Sequence, residues 1–255
     1  MVCMPEGLNS ETSSAFFITG VRHLDQIALS TAAFCLWDIP PEEKLLIGRK
    51  LGFEHIEIAL STEVMVRKFL DFLNTNELAG GFNQIALHAP WHGIAYGKNA
   101  RSEKLILQLT EIVDRLEIKS VVVHCDCIQN SESLASTGLP VVLENTATPG
   151  SWERFSELLN AYPWRVSLNL NKASRDHGHV ERILESWHHR IERVHLSGHV
   201  DSRGRMPLQT TRQLHLLEKI KGLRVPMVLE GLFPPGNTLS IAEERHLVET
   251  IIYDD

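Results

Sequence analysis

The most constraining feature of this chain is a set of eight short apolar segments, many of them β-branched, recurring along nearly its whole length. They are Gln26 to Ser30, His55 to Leu60, Gln84 to His88, Ser120 to His124, Pro140 to Glu144, Arg165 to Asn171, Ile191 to His195 and Val225 to Glu230. Each reads as a strand, and their nearly continuous apolar character is that of parallel strands covered on both faces. The stretches between them carry helical spacing. In Ser102 to Leu116, for example, Leu105, Leu109, Ile112, Val113 and Leu116 share one face. Pro40 and Pro41 ahead of Glu42 and Glu43, and Ser151 ahead of Glu153, mark helix starts with acids in the first turn, where the helix dipole favours them. Eight such alternations in 255 residues point to an α/β chain forming a single closed eight-stranded (β/α)8 TIM barrel rather than an open sheet. No Pro/Gly/Ser-rich linker divides it, so residues 26–255 are expected to form the barrel, with residues 1–25 as an N-terminal extension.

The charge balance narrows the function. Twenty-five basic against 32 acidic residues give a formal charge of -7, which supplies no global attraction for nucleic acid or acidic lipid. No apolar run approaches the ~18 residues of a membrane span. Four cysteines, Cys3, Cys35, Cys125 and Cys127, do not make a disulfide framework in a chain large enough to bury its own core, so a cytoplasmic location is expected. The sequence also lacks a Walker A loop, a Gly-x-Gly-x-x-Gly turn, a Gly-x-Ser-x-Gly elbow and a His-Glu-x-x-His helix.

Six segments end on polar residues: His88, His124, Glu144, Asn171, His195 and Glu230. In a parallel barrel the C-terminal strand ends lie on one face, so these side chains converge on one mouth. A buried carboxylate costs several kcal/mol unless it neutralises or meets a cation. Two carboxylates, three imidazoles and an amide together therefore read as a divalent-metal site for Mn, Zn, Co or Mg. Trp91, just beyond His88-Ala89-Pro90, is placed to wall the pocket. Arg203 and Arg205 offer planar donor forks to an anionic group of a small-molecule substrate. Glu57 reads as a salt-bridge partner inside the barrel, and Cys125 and Cys127 as small buried apolar residues.

Taken in order, these pieces resemble the xylose isomerase-like barrels, which include sugar-phosphate isomerases and epimerases and the endonuclease IV branch. The matching stretches are Gly52-Phe53-Glu54-His55-Ile56-Glu57-Ile58, Leu87-His88-Ala89-Pro90-Trp91, Val122-Val123-His124, Val142-Leu143-Glu144-Asn145-Thr146, Ser167-Leu168-Asn169-Leu170-Asn171, Arg190 to Leu196, and Val228-Leu229-Glu230. The resemblance implies that Glu144, Asn171, His195 and Glu230 surround one metal, and that His88 and His124 complete a second with Glu144. The family usually has Asp at the position read here as Asn171. Its endonuclease IV branch carries Asp-x-x-His after the sixth strand, where this chain reads Asn171-Lys172-Ala173-Ser174, and Asp-x-His after the seventh, where it reads Arg203-Gly204-Arg205. Ligands for a third metal are therefore missing, which weighs against phosphodiester hydrolysis. The implied activity is that of a divalent-metal-dependent isomerase or epimerase of a sugar or sugar-phosphate-like compound, with Glu144 and Glu230 transferring the proton. The alternatives are an endonuclease IV-like phosphodiester hydrolase and a degenerate, non-catalytic barrel that binds a ligand or partner. Oligomeric state is left open.

Overall fold

Every expected strand forms. The computed structural model describes residues 26–76, 81–175, 178–199 and 204–253; the expected N-terminal extension and Arg203 lie outside them. The strands are β1 (Ile27–Ser30), β2 (His55–Ala59), β3 (Gln84–His88), β4 (Val121–His124), β5 (Val141–Glu144), β6 (Arg165–Asn169) and β7 (Ile191–Leu196). An antiparallel pair, β8 (Gly198–His199) with β9 (Arg205–Met206), precedes β10 (Met227–Leu229). Strands β1 to β7 and β10 pair in parallel and close into an eight-stranded barrel, β10 lying between β7 and β1.

The major helices outside the barrel are α1 (Pro41–Lys50), α2 (Glu63–Thr75), α3 (Ala100–Arg115), α4 (Ser131–Ala135) and α5 (Ser151–Ala161). They are followed by α6 (Leu170–Ser174), α7 (His179–Trp187), α8 (Leu208–Thr211), α9 (His215–Glu218) and α10 (Thr238–Tyr253). Side-chain caps fix several starts: Thr62 accepts from Met65 N, Asn99 from Ser102 N and Asn130 from Ser133 N. Each cap satisfies a backbone donor that the first turn otherwise leaves unpaired. Helix α1 begins with Pro41, whose missing N–H costs nothing at that position.

Two zones of packing result. Between strands and helices runs one apolar cluster that includes Phe69, Leu87, Leu109, Leu143, Phe155 and Ile183, all at most 1% exposed. Inside the barrel, strand alternation turns Ala86, Val122, Val142 and Val228 inward, each two residues before a polar strand end. These small residues leave room for polar ones, and Ser30, Glu57, Ser167, Arg193 and His195 are buried there.

One boundary differs from expectation in a way that matters for the site. The sixth strand, expected to run to Asn171, stops at Asn169, because the Asn169 side chain accepts the N–H of Lys172 and starts α6. Asn171 is thereby helical. Among the described residues no helix is long and apolar enough to cross a membrane.

Candidate active site

The floor of the barrel mouth is set by Glu57 on β2. Its Oε1 accepts from Ser30 Oγ at 3.1 Å, and its Oε2 lies 2.9 Å from His195 Nε2 and 3.4 Å from Arg193 Nη1. Burial alone would raise the Glu57 pKa, but His195 above all, with help from His88 and Arg193, brings it down to about 2. Burial would likewise discharge His195, yet Glu57 and then Glu144 hold its pKa up at about 10. With Nε2 committed to Glu57, the other ring nitrogen faces the mouth, as in the carboxylate–histidine pairs that orient metal ligands.

Glu144, at the end of β5, is the hub of the site and is fully buried. Its Oε1 accepts from Lys172 Nζ at 2.6 Å and from Asn169 Nδ2 at 3.1 Å, and lies 3.3 Å from His124 Nε2. Its Oε2 lies 3.1 Å from His88 Nε2 and 2.9 Å from His195 Nδ1. Burial works against this carboxylate being charged, but Lys172, His124 and His195 together hold its pKa well below the usual range. His124, unlike His195, is neutral: burial, and then Lys172, lower its pKa to about 4, and the ring accepts from Lys172 Nζ at 3.0 Å.

Glu230 follows β10 and is held at both oxygens. Oε1 accepts from Asn169 Nδ2 at 3.0 Å and from Ser197 Oγ at 3.1 Å; Oε2 pairs with Arg205 Nη1 at 3.1 Å. Opposing burial, Arg205 and then His195 keep the Glu230 pKa low. Gly231 makes this approach possible, since a Cβ there would sit 2.7 Å from Pro207 N. That close approach brings the β9 segment bearing Arg205 over the mouth, where Leu232 N donates to Arg205 O at 2.9 Å.

Above the cluster lies a cavity of about 450 Å³, lined in part by Trp91, His124, Asn169, Lys172, Arg175 and Arg205. Trp91 leans on His88 and His124, with ring centroids 4.5 and 5.4 Å away, and the Arg205 guanidinium lies 5.9 Å from its ring. Of the residues singled out from sequence, the fold brings together His88, His124, Glu144, His195, Glu230, Arg205 and Trp91.

Asn171 lines the cavity but stands outside the cluster: its Nδ2 donates to Gly198 O at 2.7 Å and its Oδ1 accepts from Arg175 Nε at 3.0 Å. The amide that joins the carboxylates is Asn169, the register partner of His195. The Asp-x-x-His comparison therefore falls on Asn169-Leu170-Asn171-Lys172, two residues earlier than the sequence suggested. Ser174 only closes the end of α6, its hydroxyl donating to Asn171 O. Lys172 joins the cluster without having been singled out from sequence; its one available signal is its place three residues after a strand-end amide.

No protein-family model matches the chain, and no curated protein matches it in sequence. Solved structures do. One is the IolI protein with a bound zinc atom, 16% identical, with a TM-score of 0.59 over 90% of this chain and 97% of that one. Another is 3-keto-D-glucoside 4-epimerase from E. coli, 15% identical, with a TM-score of 0.59 over 88% and 99%. A third is a D-tagatose 3-epimerase-like protein, 15% identical, with a TM-score of 0.58 over 89% and 98%. The chain shares the closed (β/α)8 barrel fold of these structures.

The IolI structure holds a zinc atom, so the donor set here is worth testing for fit to a divalent ion. His195 Nδ1 is buried and has no hydrogen-bond partner among the described residues, although Glu144 Oε2 is 2.9 Å away and Glu230 Oε2 is 3.7 Å away. His88 directs Nδ1 to its neighbour's carbonyl, Ala89 O, at 3.0 Å, which leaves Nε2 toward Glu144. One ligand atom from each of His88, Glu144 and His195 lies within 4.8 Å of the others. His88 Nε2, His195 Nδ1 and a Glu144 carboxylate oxygen together have the chemistry of a divalent-metal donor set.

Asn169 does not join that set. Its oxygen caps α6 and its nitrogen donates to Glu144 and Glu230, so it clamps the two carboxylates together. A second group, His124, Asp126 and Cys127, also lies within 4.8 Å, but it suits a metal less well. Burial and Asp126 push the Cys127 thiol up to about 12, away from the thiolate that binds metal.

Proposed function

We propose that this barrel is an isomerase or epimerase of a small hydroxy-carbonyl compound of the sugar type carrying an anionic group. The observation that carries this reading is the convergence of Glu144, Glu230, His88 and His195 on one buried point beneath a cavity of about 450 Å³. A divalent ion held by His88, Glu144, His195 and Glu230 would supply Lewis acidity toward two adjacent substrate oxygens.

The chain's own residues account for the rest. Glu144 and Glu230 are both ionised at neutral pH and ready to accept a proton. Glu144 takes the proton from the carbon beside the carbonyl; the electron pair of that C–H bond becomes a carbon–carbon double bond and the carbonyl π pair moves onto its oxygen, giving an enediolate. Return of that proton from Glu144 to the neighbouring carbon, with the hydroxyl proton passing between the two substrate oxygens, gives the isomer; delivery to the other face of the first carbon by Glu230, after it has taken a proton from solvent, gives the epimer. Asn169 and Ser197 fix the Glu230 carboxylate, so its orientation is set before substrate arrives. Trp91 walls one side of the cavity and offers an apolar face to a sugar ring. Arg205, reaching over Trp91, is placed to grip a phosphate or carboxylate.

The Asn169-x-x-Lys172 sequence removes two side chains that the nuclease branch uses as ligands, which counts against the hydrolase alternative. The test is C–H exchange. The zinc- or manganese-loaded protein is incubated in D2O with a panel of ketoses, aldoses and their phosphates, and the proton beside the carbonyl is followed by NMR. Loss of that signal for one substrate class is the expected result. No exchange across the panel would sink the reading in favour of a non-catalytic binding barrel. Once a substrate is found, Arg205→Ala is expected to raise KM about 10- to 100-fold for the anionic compound, the worth of a charge-assisted hydrogen bond. Equal effects on a neutral analogue would remove the anion role from Arg205.

A further inference from the structure

The resemblance implies a second metal at His88, His124 and Glu144, and here a side chain of the protein lies between His124 and Glu144. Lys172 Nζ is 2.6 Å from Glu144 Oε1 and 3.0 Å from His124 Nε2, and those two atoms are 3.3 Å apart. A cation that close to both potential donors takes up the notch a metal would enter, and its charge repels a divalent ion at short range.

The ammonium is also built in. Lys172 stands in the first turn of α6, whose start is fixed by the Asn169 cap, and only 21% of its side chain is exposed. Two of its three N–H groups are used by His124 and Glu144; among the described residues the third has no partner, and the residue lines the cavity.

We propose that Lys172 is the chain's own substitute for a second metal: it excludes a divalent ion from the His124–Glu144 position and presents its free N–H to a negatively charged oxygen of the ligand. This rests on the proposed reading of the mouth as a substrate site, but the ion exclusion is separable from it. No electron or group transfer is involved; the lysine contributes a hydrogen bond and a charge, as a second metal would contribute charge.

The test is metal stoichiometry, which needs no substrate. The full chain, Lys172→Ala, Lys172→Gln and Lys172→Arg are each dialysed to equilibrium against Zn2+ and, separately, Mn2+, and metal per chain is measured by elemental analysis. Far-UV and near-UV circular dichroism confirm the fold. The expected result is one more ion per chain in Lys172→Ala and Lys172→Gln than in the wild type, and no gain in Lys172→Arg, which keeps the charge. Equal counts in all four proteins would overturn the proposal, as would a gain in Lys172→Arg. The wild-type count itself tests a different statement. A wild type without metal whose Lys172→Ala variant gains one ion would sink the metal part of the proposed function and leave the role of Lys172 standing. Inorganic phosphate then probes the free N–H: its affinity, measured by calorimetry, is expected to fall about tenfold in Lys172→Gln, and unchanged affinity would overturn that half of the proposal.

Discussion

A Glu144→Gln variant is expected to lose the proposed divalent ion and to slow substrate C–H exchange by about 10²- to 10⁴-fold, the usual contribution of a positioned general base. The argument lies in the number of groups that depend on this one carboxylate. Its two oxygens face Lys172, Asn169 and His124 on one side and His88 and His195 on the other. An amide of the same shape has only one acceptor oxygen. Its NH2 must point at Lys172 and Asn169, which are donors, or at the His88 and His195 nitrogens of the proposed metal site. The substitution also removes the negative charge that balances the Lys172 ammonium. Elemental analysis and exchange kinetics on the purified variant check this, with circular dichroism to confirm that the barrel is intact. A variant that keeps both metal and exchange would remove Glu144 from the centre of the site.

Glu57→Gln is expected to destabilise the metal-free protein by about 3 to 5 kcal/mol, the cost of breaking a buried ion pair and leaving its partner uncompensated. Glu57 touches no part of the cavity; it supports His195 and Arg193 from below. The pH profile gives a signature that simple loss of packing does not. Glu57 has its pKa lowered from 4.5 to about 2, so its contribution is present above 4.5 and disappears as the pH falls toward 2. His195 has its pKa raised from 6.5 to about 10, so its contribution is full below 6.5 and is lost as the pH rises toward 10. The pair therefore stabilises the fold most between about 4.5 and 6.5. Urea unfolding of the chelated protein at a series of pH values is expected to show stability falling above pH 6.5, with a shallower fall in Glu57→Gln because Glu144 alone then supports the charge on His195. Parallel profiles for the two proteins would show that the pair does not couple to folding.

The barrel was legible because its signal is redundant. Strands covered on both faces need continuous apolar runs, and eight such runs at even spacing leave few architectures open. Most of the polar strand ends were legible for the same reason: once the strands are parallel, residues such as His88, Glu144 and Glu230 must share a face. The sixth strand shows where that logic stops. Asn169 and Asn171 are both polar and two apart, so strand periodicity turns both inward and cannot choose between them. The choice is made by a cap: the Asn169 side chain takes the Lys172 N–H, the helix begins, and Asn171 rotates onto Gly198 and Arg175. Lys172 was illegible for another reason. Its partners His124 and Glu144 lie 48 and 28 residues away, and only closure of the barrel brings that ammonium to them. The two arginines after the seventh strand divide similarly, since Arg205 meets Glu230 through a loop approach that depends on Gly231, while Arg203 lies outside the described residues.

The most direct test of the central claim, that the mouth is built around one divalent ion at Glu144, is a crystal of the full chain grown with zinc and measured at its absorption edge. The account predicts one strong anomalous peak within bonding distance of Glu144 and His195 Nδ1, with Lys172 still on His124. A mouth without a peak, or a peak on His124, Asp126 and Cys127 instead, would contradict it.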